Sequence, residues 1–198
     1  MSKQVDFFFD VGSPASWLAW AQIGAIARDA GATLSHKPML LGAVFQATGN
    51  ASPAVVPAKG QYTFVDLDRF ARRYGVPLQR NPHFPINTLG LMRAVTGMQL
   101  RHPEQFEAFT QAVFEAIWVR SLNLNDPQIA AGALAAAGYA PDLVLGLMND
   151  PEVKARLKAV TDEALQRGVF GAPTMFVGDQ MFWGQDRLDW VREALQPA

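Results

Sequence analysis

The 198-residue sequence predicts an α/β fold built from both ends of the chain around a long all-helical insertion. Three observations carry this. Strand-like apolar runs occur only at residues 5–10, 33–37 and 174–183, while residues 40–167 read as helix or loop. The composition, 49% hydrophobic and 18% charged, suits a chain with a full core. The expected division is 1–39 with 168–198 for the sheet-bearing part, and 40–167 for the insertion.

The first run, Val5-Asp6-Phe7-Phe8-Phe9-Asp10, reads as a buried strand. It passes through Gly12-Ser13 into a helix over 14–30, where Ser13 and Pro14 form an N-cap and first-turn proline pair and Gly31 closes the end. Apolar Trp17, Leu18, Ala21, Ile23, Ala25 and Ile26 cover more than one face, as in a helix packed on a sheet. A second strand at 33–37 completes a β-α-β opening.

Residues 41–45 read as a short helical or loop piece. Residues 51–60 contain Pro53 and Pro57, which exclude regular helix throughout and suggest a loop over a site. Helices are expected at 63–74, 87–96, 103–121, 127–137, 141–149 and 151–167. The last four open on proline, where the missing N–H costs nothing. Strands at 174–177 and 180–183 flank Gly178-Asp179 as a hairpin, and a helix at 186–195 closes the chain.

Formal net charge is -1, with no basic block and no acidic tail. That removes the electrostatic footprint of nucleic-acid or anionic-membrane binding and favours small-molecule chemistry. The sequence has no cysteine, which excludes disulfides, zinc–thiolate sites and thiol nucleophiles. His36, His83 and His102 share no metal-ligand spacing, so no metal is expected. Met1-Ser2-Lys3-Gln4 leads directly into a strand bearing Asp6 and Asp10, unlike a signal peptide or membrane span; the expectation is a soluble cytoplasmic protein.

The strand-to-helix junction at Ser13 and the loop Gly168-Val169-Phe170-Gly171-Ala172-Pro173-Thr174 suggest a thioredoxin-like site in which serine replaces a redox cysteine. Ser13 either caps its helix or, beside exposed N–H groups, stabilises a bound anion such as a thiolate; the roles are compatible. A nucleophilic serine fits poorly, because the second glycine of the hydrolase elbow is missing. Pro173 is either a plain loop proline or a cis-proline that leaves Ala172 presenting its N–H and C=O to an extended peptide. Gln185 and Asp186 either begin the last helix, with Asp186 as N-cap, or hold the charged ends of an amino-acid-like group. Asn50, Lys59, Tyr62, Asn87 and Arg93 are polar residues among apolar neighbours near the proline-rich segment. Arg69, Arg72 and Arg73, with Asp66 and Asp68, form a charged outer helix face, and Trp118 reads as core.

Taken together, Phe9 through Trp17, the 37–50 stretch with Lys59, Phe84-Pro85-Ile86-Asn87 with Arg93, residues 168–174, and Phe182-Trp183-Gly184-Gln185-Asp186-Arg187 resemble the DsbA-like family of kappa-class glutathione transferases and, more closely, 2-hydroxychromene-2-carboxylate isomerases. The likeness spans essentially the whole chain. It implies a thioredoxin-like fold with a large helical insertion, glutathione as the bound thiol, and Ser13 facing its sulfur. It also implies that Ala172 and Pro173 pair with the tripeptide backbone, Gln185 and Asp186 hold its γ-glutamyl end, and Asn50 and Lys59 close the site. The family's reaction interconverts 2-hydroxychromene-2-carboxylate and trans-o-hydroxybenzylidenepyruvate in aromatic-compound degradation. That implies a small aromatic carboxylate substrate, with Asn87 or Arg93 near its carboxylate, and a homodimer. Gly12, Ala15, Trp17 and the 119–126 run depart from the isomerase pattern; the last, bordering the helical lobe, bears on the substrate more than on glutathione. Two alternatives remain: a transferase that conjugates electrophiles, and a non-catalytic thioredoxin-like binding module. A disulfide oxidoreductase is excluded for a chain without thiols.

Overall fold

The computed structural model describes residues 3–196. Its elements run β1 (Gln4–Phe9), α1 (Pro14–Asp29), β2 (Thr33–Pro38), α2 (Leu41–Thr48), α3 (Pro57–Tyr74), α4 (Leu89–Arg101), α5 (Phe106–Trp118), α6 (Pro127–Ala136), α7 (Pro141–Asn149), α8 (Pro151–Gln166), β3 (Thr174–Val177), β4 (Gln180–Trp183) and α9 (Leu188–Leu195). The strands form one four-stranded sheet in the order β2-β1-β3-β4. β1 pairs parallel with β2 and antiparallel with β3, so Phe7 sits between His36 and Met175. The two halves of the sheet therefore come from opposite ends of the chain.

The apolar run in β1 follows from burial on both faces, since alternate side chains of a strand point in opposite directions. Val5, Phe7 and Phe9 join the core formed with α1, α3, α4, α5 and α9. Phe8 points to the other face, where Met39, Val44 of α2, Val160 and Ala164 of α8, Val169 and Phe176 enclose it. All three phenylalanines are fully buried, each stabilising the fold by about 1.5–3 kcal/mol. Arg167 closes the edge of this second face, its guanidinium 3.8 Å from the Phe176 ring centre and 2.7 Å from Asp6. Burial alone would raise the Asp6 carboxyl, but hydrogen bonds from Arg167 and Gln4, with the Lys37 charge nearby, bring it below its ordinary value.

Several element boundaries differ from expectation: the helix expected at 87–96 spans Leu89–Arg101, and a 3₁₀ turn, Pro103–Gln105, precedes α5, so that helix does not open on Pro103. Three other differences have local reasons. Pro57 begins a helix instead of interrupting one, because it occupies the first turn of α3; Lys59 is thereby helical, and only a short 3₁₀ turn, Pro53–Val55, precedes it. Residues 41–48 form a complete short helix, terminated by Gly49 at φ 71°. At the chain's end a 3₁₀ turn, Gln185–Arg187, precedes α9, so Asp186 is not its N-cap; its carboxylate accepts from Arg187 instead.

Candidate active site

Ser13 stands between the end of β1 and the first turn of α1 and is 5% exposed. Its extended backbone and the following Pro14 start the helix, and its Oγ accepts the Ser16 N–H at 3.1 Å. The same hydroxyl donates to the Ala172 carbonyl at 2.9 Å, across the sheet in the loop before β3. Capping and a second polar contact thus coexist on one oxygen. One turn into α1, Ser16 is fully buried and its hydroxyl has no hydrogen-bond partner among the described residues.

The Ala172–Pro173 bond is cis, as is Phe84–Pro85, for which the sequence reading raised no cis isomer. Among the described residues, no backbone hydrogen bond takes the Ala172 N–H. The carbonyl, holding one donor from Ser13, keeps a second lone pair. These groups fit the main chain of an extended peptide. Asn50 joins the same loop, with its Nδ2 donating to the Phe170 carbonyl at 2.8 Å. Gly184 N–H donates to the Pro173 carbonyl at 3.0 Å, which brings the Gln185–Asp186 turn alongside. Tyr74 holds that turn from α3, its hydroxyl donating to the Gln185 carbonyl at 2.8 Å. Ser13, Asn50, Ala172, Pro173, Gln185 and Asp186 therefore converge on one loop cluster.

The remaining candidates are placed differently. Lys59 is exposed on the first turn of α3, with no hydrogen bond tying its ammonium to the cluster. Asn87 is exposed and spends its side-chain oxygen on the Leu89 N–H at the entrance to α4. Arg93 is half-buried on α4, and among the described residues no hydrogen bond joins it to Ser13.

The sequence reading missed Asp10 as a site residue. Its carboxylate is 1% exposed and accepts from the N–H groups of Gly12 and Leu41 at 2.8 and 2.9 Å and from the Thr88 hydroxyl at 3.0 Å. Burial pushes this carboxyl above its ordinary value, against the pull of those three donors. One side chain thus fixes the turn before Ser13, the start of α2 and the approach to α4. An acid closing an apolar strand was the available signal. Trp183 was missed also: it is 47% exposed and packs on Phe170 with ring centres 4.9 Å apart, bordering Gly171.

A groove of about 720 Å³ on the other flank of α1 is lined by Trp20, Gly24, Arg28, His36 and Glu107, and none of the cluster residues borders it. No group of three or more metal-ligating side chains is assembled among the described residues. Within the same residues, no helix is long and apolar enough to cross a membrane.

The family profile of the DSBA-like thioredoxin domain matches residues 4–196. A 2-hydroxychromene-2-carboxylate isomerase of Sphingobium xenophagum is 34% identical over 198 residues, covering 98% of this chain and 99% of that protein. The human glutathione S-transferase kappa 1 is 29% identical over 211 residues, covering 98% and 92%. A solved 2-hydroxychromene-2-carboxylate isomerase structure superimposes with a TM-score of 0.80 at 33% identity, covering 97% of this chain and 94% of that one. With a mixed four-stranded sheet, a serine at the first helix and a cis-proline loop opposite it, the chain belongs to the DSBA-like thioredoxin domain family, among relatives that are 2-hydroxychromene-2-carboxylate isomerases and kappa glutathione S-transferases.

Proposed function

We propose that this chain is a glutathione-dependent isomerase of an unsaturated aromatic carboxylate, interconverting 2-hydroxychromene-2-carboxylate and trans-o-hydroxybenzylidenepyruvate in the cytoplasm, as a homodimer. The observation that carries the reading is the Ser13 hydroxyl, buried at a helix N-terminus and facing the cis-proline loop in a chain that has no sulfur nucleophile of its own. Once the cyclic hemiketal has opened to the phenol and conjugated ketone, bound glutathione would supply a thiolate whose addition to the conjugated carbon and later departure permit rotation about the bond that is single in between, with no net redox change.

The chain's own residues do the rest. Ser13 turns its proton from the Ala172 carbonyl toward the anion, and the positive end of α1 favours the same charge. Each pKa unit gained in this way corresponds to about 1.4 kcal/mol. Ala172 offers its N–H and remaining lone pair to the peptide backbone. Asp186 and Gln185 receive the ammonium and carboxylate of the γ-glutamyl end, and Asn50 and Lys59 close over the tripeptide. The substrate carboxylate is assigned to Asn87 or Arg93.

The test is the ultraviolet spectrum of 2-hydroxychromene-2-carboxylate mixed with the protein, with and without glutathione. The expected result is catalytic conversion only when the thiol is present, with glutathione recovered unchanged. Saturable glutathione binding without conversion rejects the isomerase. The kappa transferase relative supports a second reading, conjugation of electrophiles; mass spectrometry would then find a stable thioether in place of free glutathione.

A further inference from the structure

The groove of about 720 Å³ on the far flank of α1 has walls from α1, β2 and α5, and its volume is that of a small-ligand cleft. Trp20 and His36 meet at one end with ring centres 4.9 Å apart, and the Phe106 ring stands 5.2 Å from the same imidazole. The Trp20 indole donates to Gln111 of α5 at 2.8 Å, and the Gln111 amide donates to Glu115, also at 2.8 Å, so this wall is fixed before any ligand arrives. Glu107 lies one turn before Gln111 on the same face of α5. Arg28 lies two turns beyond Trp20 along α1, a separation of about 12 Å at 1.5 Å per residue. The groove is therefore elongated, with aromatic rings at one end and a guanidinium at the other.

Three of its features are unmet by the chain itself. The His36 ring nitrogens have no hydrogen-bond partner among the described residues, yet neither is sealed from solvent, because the one sealed side-chain atom without a partner there is Ser16 Oγ. Burial lowers the His36 pKa to about 4, so near neutrality the ring offers one donor and one acceptor. Arg28 and Glu107 carry opposite charges on facing walls, and neither joins an ion pair among the described residues. Gly24 sits within the 16-residue helix α1, where glycine is disfavoured, although a Cβ there would meet only the far end of Arg28, at 3.4 Å. Packing does not require that glycine; a ligand approaching the helix backbone would.

We infer that this groove binds a free α-amino acid with a planar side chain that ends in a hydrogen-bonding group, as in tyrosine. Arg28 takes the carboxylate, Glu107 the ammonium and His36 the side-chain hydroxyl, with Trp20 against the ring. The inference goes beyond the isomerase reading and does not depend on it. An ion of one sign would leave Arg28 or Glu107 facing a like charge, whereas a zwitterion satisfies both. A purely apolar ring would desolvate the imidazole edge with nothing in return.

The test is calorimetric titration of L-tyrosine into the full chain, with L-phenylalanine, tyramine and 3-(4-hydroxyphenyl)propanoate as probes that lack the hydroxyl, the carboxylate and the ammonium in turn. Loss of either charged group is expected to raise Kd about tenfold or more, and loss of the hydroxyl about fivefold. Arg28→Ala should weaken tyrosine about tenfold while leaving tyramine unchanged, and Glu107→Gln should weaken tyrosine but not 3-(4-hydroxyphenyl)propanoate. Both residues are exposed, so thermal melting of these variants should match the wild type. Gly24→Leu, which improves the helix and fills the groove, should abolish tyrosine binding with no fall in Tm. Saturating glutathione should leave the tyrosine Kd unmoved, because none of its proposed contacts borders the groove. The inference is overturned by a lack of saturable tyrosine binding to the wild type, by an unchanged tyrosine Kd in Arg28→Ala, Glu107→Gln or Gly24→Leu, or by displacement of tyrosine by glutathione. Tyrosine binding with this dependence, in a protein that does not bind glutathione, would keep the groove and end the isomerase reading.

Discussion

Replacing Ser13 by alanine separates two jobs that one oxygen performs. In the folded protein the hydroxyl accepts the Ser16 N–H at 3.1 Å and donates to the Ala172 carbonyl at 2.9 Å. Loss of the cap costs about 1 kcal/mol, and loss of the cross-loop bond about another 1 kcal/mol. Urea denaturation should therefore show Ser13→Ala destabilised by roughly 2 kcal/mol. A hydrogen bond to a charged group is worth about 1.5–3 kcal/mol, so the bound glutathione thiol should titrate about 1–2 pH units higher in the variant. Thiolate absorbance near the ultraviolet edge, followed against pH at saturating protein, reads that shift. Ser13→Thr, which keeps a hydroxyl at the helix start, should recover part of both effects. A variant destabilised as expected but with an unmoved thiol titration would reduce Ser13 to a helix cap and refute the reasoning.

Three further outcomes follow from individual contacts. His36 lies among Trp20, Phe106, Phe7 and Phe9, and burial lowers its pKa to about 4. The unfolded chain gains a proton below about pH 6.5 that the folded chain refuses until near pH 4. Stability should therefore fall by about 2 kcal/mol between pH 7.5 and pH 5 from this group, and His36→Leu should flatten that slope in urea titrations. A methyl group added at Gly12 would sit 2.7 Å from Thr88 Cγ2, whose hydroxyl is committed to Asp10. Gly12→Ala should cost about 1–3 kcal/mol, and adding Thr88→Ser, which removes that methyl but keeps the hydroxyl, should restore most of it; additive losses in the double variant would refute the contact. Ser16→Ala removes a buried hydroxyl without a partner and should raise stability by about 1 kcal/mol in the same assay, whereas a loss would mean that the hydroxyl is satisfied.

The strands and most helices were legible because their signals are local. Phe7, Phe8 and Phe9 announce a strand buried on both faces, Ser13-Pro14 a helix start, and Gly178-Asp179 a hairpin. Pro57 was ambiguous, since proline both breaks a helix and begins one, and its place in the first turn of α3 resolves it. Asp186 had the residue type of a cap, but the intervening 3₁₀ turn and neighbouring Arg187 divert its carboxylate. The pairing of Ser13 with the Ala172-Pro173 loop, which makes the candidate site, was legible where the chain concentrates it. The rest was hidden where distant segments meet. Nothing local in the sequence pairs Asp10 with Leu41 and Thr88, or places His36 beside Trp20. Asn87 and Arg93 stood out as polar residues among apolar neighbours, yet the Asn87 side chain is engaged at the entrance to its own helix.

The central claim is that the reactive sulfur is borrowed from a diffusible tripeptide and ionised beside Ser13. Its most direct test is calorimetric titration of glutathione into the wild-type chain, paired with the pH titration of the bound thiol. The account expects stoichiometric, saturable binding and a thiol that ionises at lower pH than in free glutathione. Folded protein that gives no saturable heat, or that binds glutathione with an unshifted thiol, would contradict it.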